Sequence, residues 1–531
     1  MSNTGVKEAP DMVEKMKKVK KKLLRSPSAF AGLFLVIIIM AGLTWVIPSG
    51  SYETKKDPDN PSKTIRVSGT YKESEKVKTE KGENGKETVT GDVRQGAWDV
   101  VTAPVKGMAE KLDVIIFVMI LGGFLGVVMK TGALDAMLGS MLLKMKGKEK
   151  WLIPILMIFF AIGGTTYGMQ EETVAFYALI IPIMIAAGYN AMTAVLVIVL
   201  GSGAGLIGST INPFSTGIAA RTADMPLANI FPIQFTVLGL SLIAAIIFTM
   251  RYAAKVKSGK YAKDDRTKPT VATTLDMNNV PKFTGTRKAI MAVFGLSFLI
   301  MVLSLIPWED FGIKIFSDFH AWLASLPVFG ALMGASHNVA LGNWYFSEIS
   351  VLFLLSAILV GFIYRKEFRK QNIALVDTFI KGIGDLLPVA LIIAVATGVS
   401  VVMNNGAIQD TVIHWGEDLL KSAGSSVIGI LAFIFYLPMS VLIPSSSGLA
   451  AATMPILAPI ADLVGAGKDM IVAGYTTAVG LVNLIAPTIA SLMGGLALAG
   501  VSYRKYLLRT LPIIVVFAII CMGTIAVFGV L

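Results

Sequence analysis

The sequence predicts an all-α polytopic membrane protein made of two inverted repeats, with about nine transmembrane helices and two re-entrant hairpins. Of its 531 residues, 54% are hydrophobic and only 15% are charged, and the mean hydropathy is +0.69. Apolar stretches recur at about 20 residues, the length that spans the hydrocarbon core of a bilayer. About half the chain apart, two related segments read VVMKTGAL (127–134) and VVMNNGAI (401–408). Repeated units with broken apolar segments are typical of secondary transporters.

The charge pattern indicates orientation rather than a nucleic-acid partner. The net charge is +12 and the pI is near 9.4, but the lysines and arginines cluster between apolar segments, where basic loops face the cytoplasm. The single cysteine, Cys521, excludes a disulfide within the chain. No Walker A motif is present, so ATP is not expected to drive the protein directly.

The first repeat is predicted to cover 28–252 after a basic cytoplasmic segment, 1–27. Its first helix, 28–47, is too long for a signal-peptide core and is not followed by a cleavage site, so we expect it to be retained. A hydrophilic loop, 49–110, then lies outside. Helix 112–130 returns and is followed by an amphipathic piece, 134–146.

The segment 151–187 is apolar, then polar, then apolar again. It could form two short crossing helices or a re-entrant hairpin. Each arm has about a dozen apolar residues, too few to span the bilayer alone, which favours the hairpin. Helix 191–213 is expected to break at 208–213, and helix 230–250 completes the repeat.

A basic linker, 253–286, leads to the second repeat, 287–531. One additional helix, 349–364, inverts this repeat relative to the first and leaves the C-terminus outside. The remaining elements are helix 385–403, hairpin 427–462, a broken helix over 470–490 and a last helix over 510–531. Irregular backbone at membrane depth requires burial in protein or an aqueous cavity. Two inverted hairpins that meet at the midplane satisfy this condition.

The first hairpin tip offers hydroxyls and two acids. Its candidate binding residues are Gly164, Thr165, Thr166, Tyr167, Glu171 and Glu172. Acids in transmembrane regions are costly and usually bind a cation, a proton or a substrate. The alternative is that they stabilise a helix N-terminus. A cap needs one carboxylate, and two adjacent carboxylates point in different directions.

The second hairpin tip carries Ser445, Ser446 and Ser447 and no acid. These serines could simply cap a helix, but they correspond to the threonines of the first tip and lie within an apolar stretch. The two tips would suit a substrate with a positive end near Glu171 or Glu172. Its carboxylate would then meet hydroxyls and helix N-terminal amides.

Each repeat also contains a broken helix with polar residues at the break. The candidates are Ser209, Thr210, Asn212, Asn483 and Thr488, with a predicted Na⁺ site near Gly208, Asn212 and Asn483. The alternative is a proline kink in a packed helix. The three histidines form no metal-ligand pattern, and no catalytic constellation indicates an enzyme. We therefore expect no cofactor beyond coupling to Na⁺ or H⁺.

The strings GMQEE (168–172), GSTINPF (208–214) and PSSSG (444–448) resemble the YfcC-like branch of the anaerobic C4-dicarboxylate carrier family. The resemblance covers nearly the whole chain from residue 28. It implies arginine/ornithine or other basic amino-acid exchange, a homodimer, and an elevator domain that carries both hairpins. Dicarboxylate relatives in the wider superfamily tend to carry asparagine at the tips, and this chain departs from that pattern.

The expected function is therefore secondary transport of a basic amino acid, arginine exchanged for ornithine, in a bacterial inner (plasma) membrane. The alternative is a Na⁺- or H⁺-coupled carrier of C4-dicarboxylates or other organic acids. An ion channel is disfavoured because alternating access needs inverted halves and a pore does not. The expected partners are the small-molecule substrate, the lipid bilayer and a second copy of the chain, with no nucleic acid.

Overall fold

The computed structural model describes residues 29–56, 64–81, 87–144, 148–261, 281–306, 308–332, 334 and 338–530. The basic segment 1–27 and most of the linker 253–286 lie outside these residues. The helices, in chain order, are α1 Ala29–Val46, α2 Ala97–Glu110, α3 Leu112–Lys130, α4 Ala133–Lys144, α5 Leu152–Tyr167, α6 Thr173–Ala186, α7 Ala191–Ile207, α8 Ile218–Thr222, α9 Phe231–Lys257, α10 Gly285–Leu305, α11 Ile315–Ser325, α12 Phe329–Leu332, α13 Phe346–Ile363, α14 Arg365–Lys370, α15 Leu375–Asn405, α16 Gln409–Lys421, α17 Ile428–Leu442, α18 Ser446–Leu463, α19 Lys468–Asn483, α20 Ala490–Leu498 and α21 Tyr503–Phe528.

The prediction of an all-α polytopic membrane protein is confirmed. Within the described residues, eight helices are long and apolar enough to cross a membrane. They are not the nine predicted crossings, because two of the eight, Glu149–Tyr167 and Ser446–Leu463, contain hairpin arms. The helical arms of the two hairpins run from 14 to 18 residues. The first arm is longer than its run of about a dozen apolar residues because the helix continues through the polar residues 163–167.

Several helices extend beyond their predicted ends. Helix α15 begins ten residues before the predicted 385, and α9 continues to Lys257 rather than 250. Helix α21 begins at Tyr503, so the basic cluster at 504–509 belongs to its first turns. Long basic side chains at a helix end can reach the interface while their stems stay apolar, and this hid the true helix ends from a hydropathy argument.

The segment 49–110 is only partly the loop that was predicted. Its described residues form six short strands in three antiparallel pairs. The strands are β1 Ser49–Ser51, β2 Thr54–Lys56, β3 Thr64–Arg66, β4 Lys72–Ser74, β5 Val77–Lys81 and β6 Glu87–Asp92, paired β1–β4, β2–β3 and β5–β6. The last part of the segment is not a loop but the helix α2. The small residues Ala103 and Gly107 of α2 are buried.

Helices α2 and α3 pack one after the other along α15. Gly107 of α2 lies against Ala394 and Gly398, and Gly122 of α3 lies against Gly382. The chain directions are therefore opposed, and the break between α2 and α3 falls beside the middle of α15. Glycines at these contacts let the helix backbones approach closely, as is usual inside membranes.

The same order of elements occurs in both halves. A long helix, a short helix, two hairpin arms and a broken helix follow as α3 to α7 and again as α15 to α19. In each half the first arm packs along the broken helix, α5 on α7 and α17 on α19. The arms fold back on each other: the rings of Phe160 and Phe176 are 5.3 Å apart, and the Tyr436 hydroxyl donates to Thr453 Oγ1 at 2.8 Å. The inverted membrane orientation of the halves stays a prediction.

The two broken helices meet at their breaks. Gly480 of α19 lies against Ile207, the last residue of α7, and Gly203 of α7 lies against Leu484, which follows α19. Every residue of α7 is buried, and so is every residue of α19 from Met470 to Asn483. The polar breaks are thus placed next to each other in the middle of the molecule.

Candidate functional site

The first hairpin tip is a tight turn that leaves two carboxylates at the start of the return arm. Gly168 ends α5 with φ of 76°, a left-handed conformation that glycine adopts without strain. A side chain there would also collide with Asn212, whose amide lies 2.7 Å from the position of a Cβ. Glu172 is buried, and its Oε2 accepts a hydrogen bond from the backbone amide of Gln170 at 3.2 Å. Glu172 therefore acts partly as a cap, whereas Glu171 makes no such side-chain bond among the described residues.

The second tip is built from hydroxyls at the start of α18. Ser445 is the N-cap, and its Oγ accepts from the Gly448 amide at 3.2 Å. The Tyr475 hydroxyl of α19 donates to the Ser446 carbonyl at 2.6 Å and fixes the tip on the second broken helix. The Ser447 hydroxyl lies 3.5 Å from Ser445 Oγ, and Ser446 and Ser447 both line the cavity described below.

The first break is joined to the first hairpin arm by Thr165. Its Oγ1 donates to the Gly208 carbonyl at 2.6 Å and accepts from the Thr210 amide at 3.1 Å. Ser209 is buried and accepts from Thr216 Oγ1 at 2.7 Å. The bond to Gly208 satisfies a carbonyl that the end of α7 leaves unpaired.

The second break connects with the first tip. Asn483 Nδ2 donates to Gln170 Oε1 at 3.2 Å. Tyr506 and Tyr503 donate to the carbonyls of Leu484 and Ile485 at 2.7 and 2.6 Å. Thr488 Oγ1 is buried and has no hydrogen-bond partner among the described residues. A buried hydroxyl without a partner is costly, so a ligand or water at this position would stabilise the site.

Both tips and both breaks line one cavity of about 210 Å³. That size suits a small metabolite, since drug-sized ligands occupy roughly 300–1,000 Å³. The opposite wall comes from α3, α13 and α15. The sequence-predicted residues that line it are Tyr167, Glu171, Glu172, Asn212, Ser445, Ser446, Ser447, Asn483 and Thr488.

Five predicted binding residues do not line this cavity. Gly164 packs against the backbone of α7 at Ser202, and Thr166 Oγ1 donates to the Ile162 carbonyl of its own helix. Thr165, Ser209 and Thr210 make the bonds described above. Gly208, one of the three residues named for Na⁺, also lies outside the cavity, packed against Leu238. The side-chain Oδ1 of Asn212 accepts from the Phe214 amide at 2.9 Å.

Sequence reasoning missed two charged residues of the cavity, Lys111 and Asp113, which lie at and just after the junction of α2 and α3. Both interact electrostatically with Glu171. The predicted boundary between loop and helix fell at this junction, so the charges looked like an ordinary helix end. The polar residues Gln170, Ser215, Tyr345, Thr397 and Ser400 also line the cavity without having been singled out.

The charges in the cavity are unequal. Among the residues described, it holds one ammonium, that of Lys111, and three carboxyl groups, those of Asp113, Glu171 and Glu172. Among the described residues of the chain, no three His, Cys, Asp or Glu side chains are grouped as a metal site would require. The arrangement suits a small ligand that carries more positive than negative charge.

The model of the family described as DcuC, C4-dicarboxylate anaerobic carrier, matches residues 27–529. The chain belongs to this family. As a DcuC-family protein it is a multi-pass membrane transporter, and the resemblance inferred from the hairpin and break strings is confirmed.

Two relatives are similar to this DcuC-family chain over most of their length. An uncharacterized protein of Haemophilus influenzae (strain ATCC 51907 / DSM 11121 / KW20 / Rd) is 31% identical over 88% of this chain and 90% of its own. A protein of Escherichia coli (strain K12) that carries the provisional name basic amino acid antiporter YfcC is 26% identical, over 91% of this chain and 92% of its own. The YfcC-like branch is thereby supported.

Two solved structures are similar at low scores. The YdaH transporter of Alcanivorax borkumensis aligns with 94% of this chain and 98% of its own, at 14% identity and a TM-score of 0.41. MtrF of Neisseria gonorrhoeae, described with a class of antimetabolite efflux pumps, aligns with 95% of this chain and 96% of its own, at 17% identity and a TM-score of 0.38. Both scores are too low to establish a shared topology.

Proposed function

We propose that this DcuC-family protein is a secondary transporter of cationic amino acids that exchanges arginine for ornithine. The observation that carries the proposal is the excess of carboxyl groups in the cavity. Three acids face one lysine there, at a depth where an acid without a function would be costly. A substrate with two positive groups and one carboxylate complements this set of charges.

The second candidate is a carrier of C4-dicarboxylates, favoured by the family description. Lys111 and the hydroxyls of the second tip could each receive a carboxylate. However, a dianion would lie beside Asp113, Glu171 and Glu172, and like charges in a site of low dielectric repel strongly. The provisional name of the relative from Escherichia coli supports basic amino acids instead.

An elevator movement would fit the position of the cavity. One wall consists of the two tips and the two breaks, which are tied together by the bonds from Thr165, Tyr475 and Asn483. The other wall consists of α3, α13 and α15. We propose that the first group moves as a unit against the second, within a homodimer in the bacterial inner membrane.

Counterflow in proteoliposomes tests the proposal. Labelled arginine should enter vesicles loaded with arginine or ornithine, and should not enter empty vesicles. Loading with succinate or citrulline is the control for charge. Uptake of labelled succinate in place of arginine would establish the second candidate. Arginine uptake into empty vesicles under a Na⁺ or proton gradient would show ion-coupled transport instead of exchange.

A further inference from the structure

The junction between α2 and α3 places a lysine at the depth of the binding cavity. Lys111 lies between Gly107, which contacts Ala394 and Gly398, and Gly122, which contacts Gly382. It is therefore beside the middle of α15, a helix of 31 residues. At about 1.5 Å per residue this helix is longer than the hydrocarbon core of roughly 30 Å, so its middle lies within the membrane.

The position of Lys111 at the end of α2 and the start of α3 does not by itself explain why a charged side chain lies at this depth. Lys111 ends α2, where a cation interacts favourably with the helix dipole. That gain is smaller than the cost of an ammonium at membrane depth. The Lys111 side chain is half-buried and lines the cavity, and its ammonium makes no hydrogen bond or ion pair with another described residue. The ammonium interacts with Glu171 electrostatically, but no described carboxylate contacts it directly, so it is free to bind an anionic group of a ligand.

The charged groups around Lys111 are complementary to those of an amino-acid head group. Such a head group holds a carboxylate and an ammonium on the same carbon, a few ångströms apart. Lys111 provides the positive partner. Asp113 and Glu171, which line the same cavity and interact electrostatically with each other, provide negative partners. The third carboxyl group of the cavity, that of Glu172, is left for the second cation of the substrate.

We propose that Lys111 binds the α-carboxylate of the substrate and so selects amino acids over the corresponding amines. This proposal rests on the function proposed above and adds the substrate group that the site requires. The serines of the second tip and the unpartnered Thr488 hydroxyl would complete the carboxylate's hydrogen bonds.

Ligand competition in the wild-type protein is the first test, because it needs no variant. Unlabelled arginine, arginine methyl ester and agmatine compete with labelled arginine for the purified protein. Both competitors keep the guanidinium but lack the carboxylate charge. A charge-assisted bond predicts binding at least about tenfold weaker for both than for arginine. Equal affinity for all three would overturn the proposal while leaving transport of cations intact.

The variant Lys111→Met should bind arginine about ten- to a hundredfold more weakly than the wild type. It should bind agmatine with unchanged or higher affinity. Lys111→Arg should retain the preference for arginine. The matched control is Lys106→Met, an exposed lysine of α2 that does not line the cavity. If Lys111→Met weakens arginine and agmatine equally, Lys111 only balances Glu171 and the proposal is wrong.

A failure of the proposed function gives a different result. The protein would then bind succinate and ignore arginine. Loss of succinate affinity in Lys111→Met would still support Lys111 as the carboxylate partner, and unchanged succinate affinity would overturn it.

Discussion

The two hairpin tips share an architecture but differ in chemistry. Both interrupt an apolar segment, both lie against a broken helix, and both line the same cavity. The first offers Glu171 and Glu172, and the second offers only hydroxyls and the amides at the start of α18. A symmetric pair of tips would suit a symmetric ligand such as a dicarboxylate. The unequal pair supports the proposal of a substrate whose two ends carry opposite charge.

The comparison of the two halves depends first on their orientation. If the second half is inverted, Lys260 lies inside and Asp318 outside, and both positions are exposed. Single cysteines there, in a Cys521→Ala background, should react with an impermeant maleimide from opposite sides of the membrane. From each side of the membrane, we expect one of the two cysteines to be fully labelled and the other not at all. Labelling of both positions from one side would exclude the inverted repeat.

Removal of the acids tests the first tip. A charge-assisted hydrogen bond contributes about 1.5–3 kcal/mol, so Glu171→Gln or Glu172→Gln should weaken arginine by roughly ten- to over a hundredfold. Glu171 should show the larger effect, because Glu172 also holds the Gln170 amide. Equilibrium binding to purified protein provides the measurement.

Glu110→Gln, an exposed position outside the cavity, is the control for the acid variants. Wild-type arginine affinity and exchange rate in both Glu171→Gln and Glu172→Gln would show that the acids only cap α6. The charge argument for a cationic substrate would then be lost.

Serine substitutions test the second tip. Ser446→Ala and Ser447→Ala each remove a hydroxyl that lines the cavity but leave the backbone amides in place. A neutral hydrogen bond contributes about 0.5–1.5 kcal/mol, so we expect a two- to tenfold loss of arginine affinity. Agmatine affinity should not change, since it has no carboxylate.

Ser445→Ala separates stability from binding at this tip. Its hydroxyl caps α18, so the expected loss is about 1 kcal/mol of stability, seen as a lower midpoint in thermal unfolding. An equal loss of arginine and agmatine affinity in the Ser446 and Ser447 variants would mean that these serines hold the tip and do not contact the carboxylate.

The sequence revealed the tips and breaks because polar residues stand out within apolar runs. Glu171, Asn212, Ser446 and Asn483 were found in this way. It could not distinguish hydroxyls that face a cavity from those that join helices, as Thr165 and Ser209 do, because both environments require polar side chains. Lys111 and Asp113 were missed for the opposite reason. They follow a charged segment, and only the packing of α2 and α3 along α15 places them beside the middle of that helix.

The two halves also differ in how their short helices, α4 and α16, are held. Described residues of the 49–96 loop dock on α16, the short helix of the second half. Tyr52 donates to Glu417 Oε2 at 2.7 Å, Arg66 bonds Asp410 at 2.7 Å, and the Tyr71 ring stacks on His414 at 4.1 Å. In the first half, Asp135 of α4 has a buried oxygen without a hydrogen-bond partner among the described residues.

Opposite pKa shifts of these two acids predict opposite responses to pH. Burial raises the pKa of Asp135 and outweighs the nearby charge of Arg287. The ionised carboxylate therefore destabilises the folded state, and this penalty disappears as pH falls and Asp135 is protonated. Burial would also raise the pKa of Glu417, but hydrogen bonds from Tyr52, Lys421 and His414 lower it overall. Glu417 therefore stabilises the docked loop above its ordinary pKa, and this contribution is lost as pH falls through the lowered value.

Hydrogen exchange of the loop amides, compared between wild type and Glu417→Gln at matched pH, measures this smallest effect. At pH 7 the variant should exchange faster around Tyr52, because Tyr52 loses a charged acceptor. Well below the ordinary pKa of a glutamate, about 4.3, the difference should shrink, since the wild-type carboxyl is then neutral too. Arginine binding should be unchanged at pH 7, because Glu417 does not line the cavity. A difference in exchange that persists at low pH would show that Glu417 acts through packing alone.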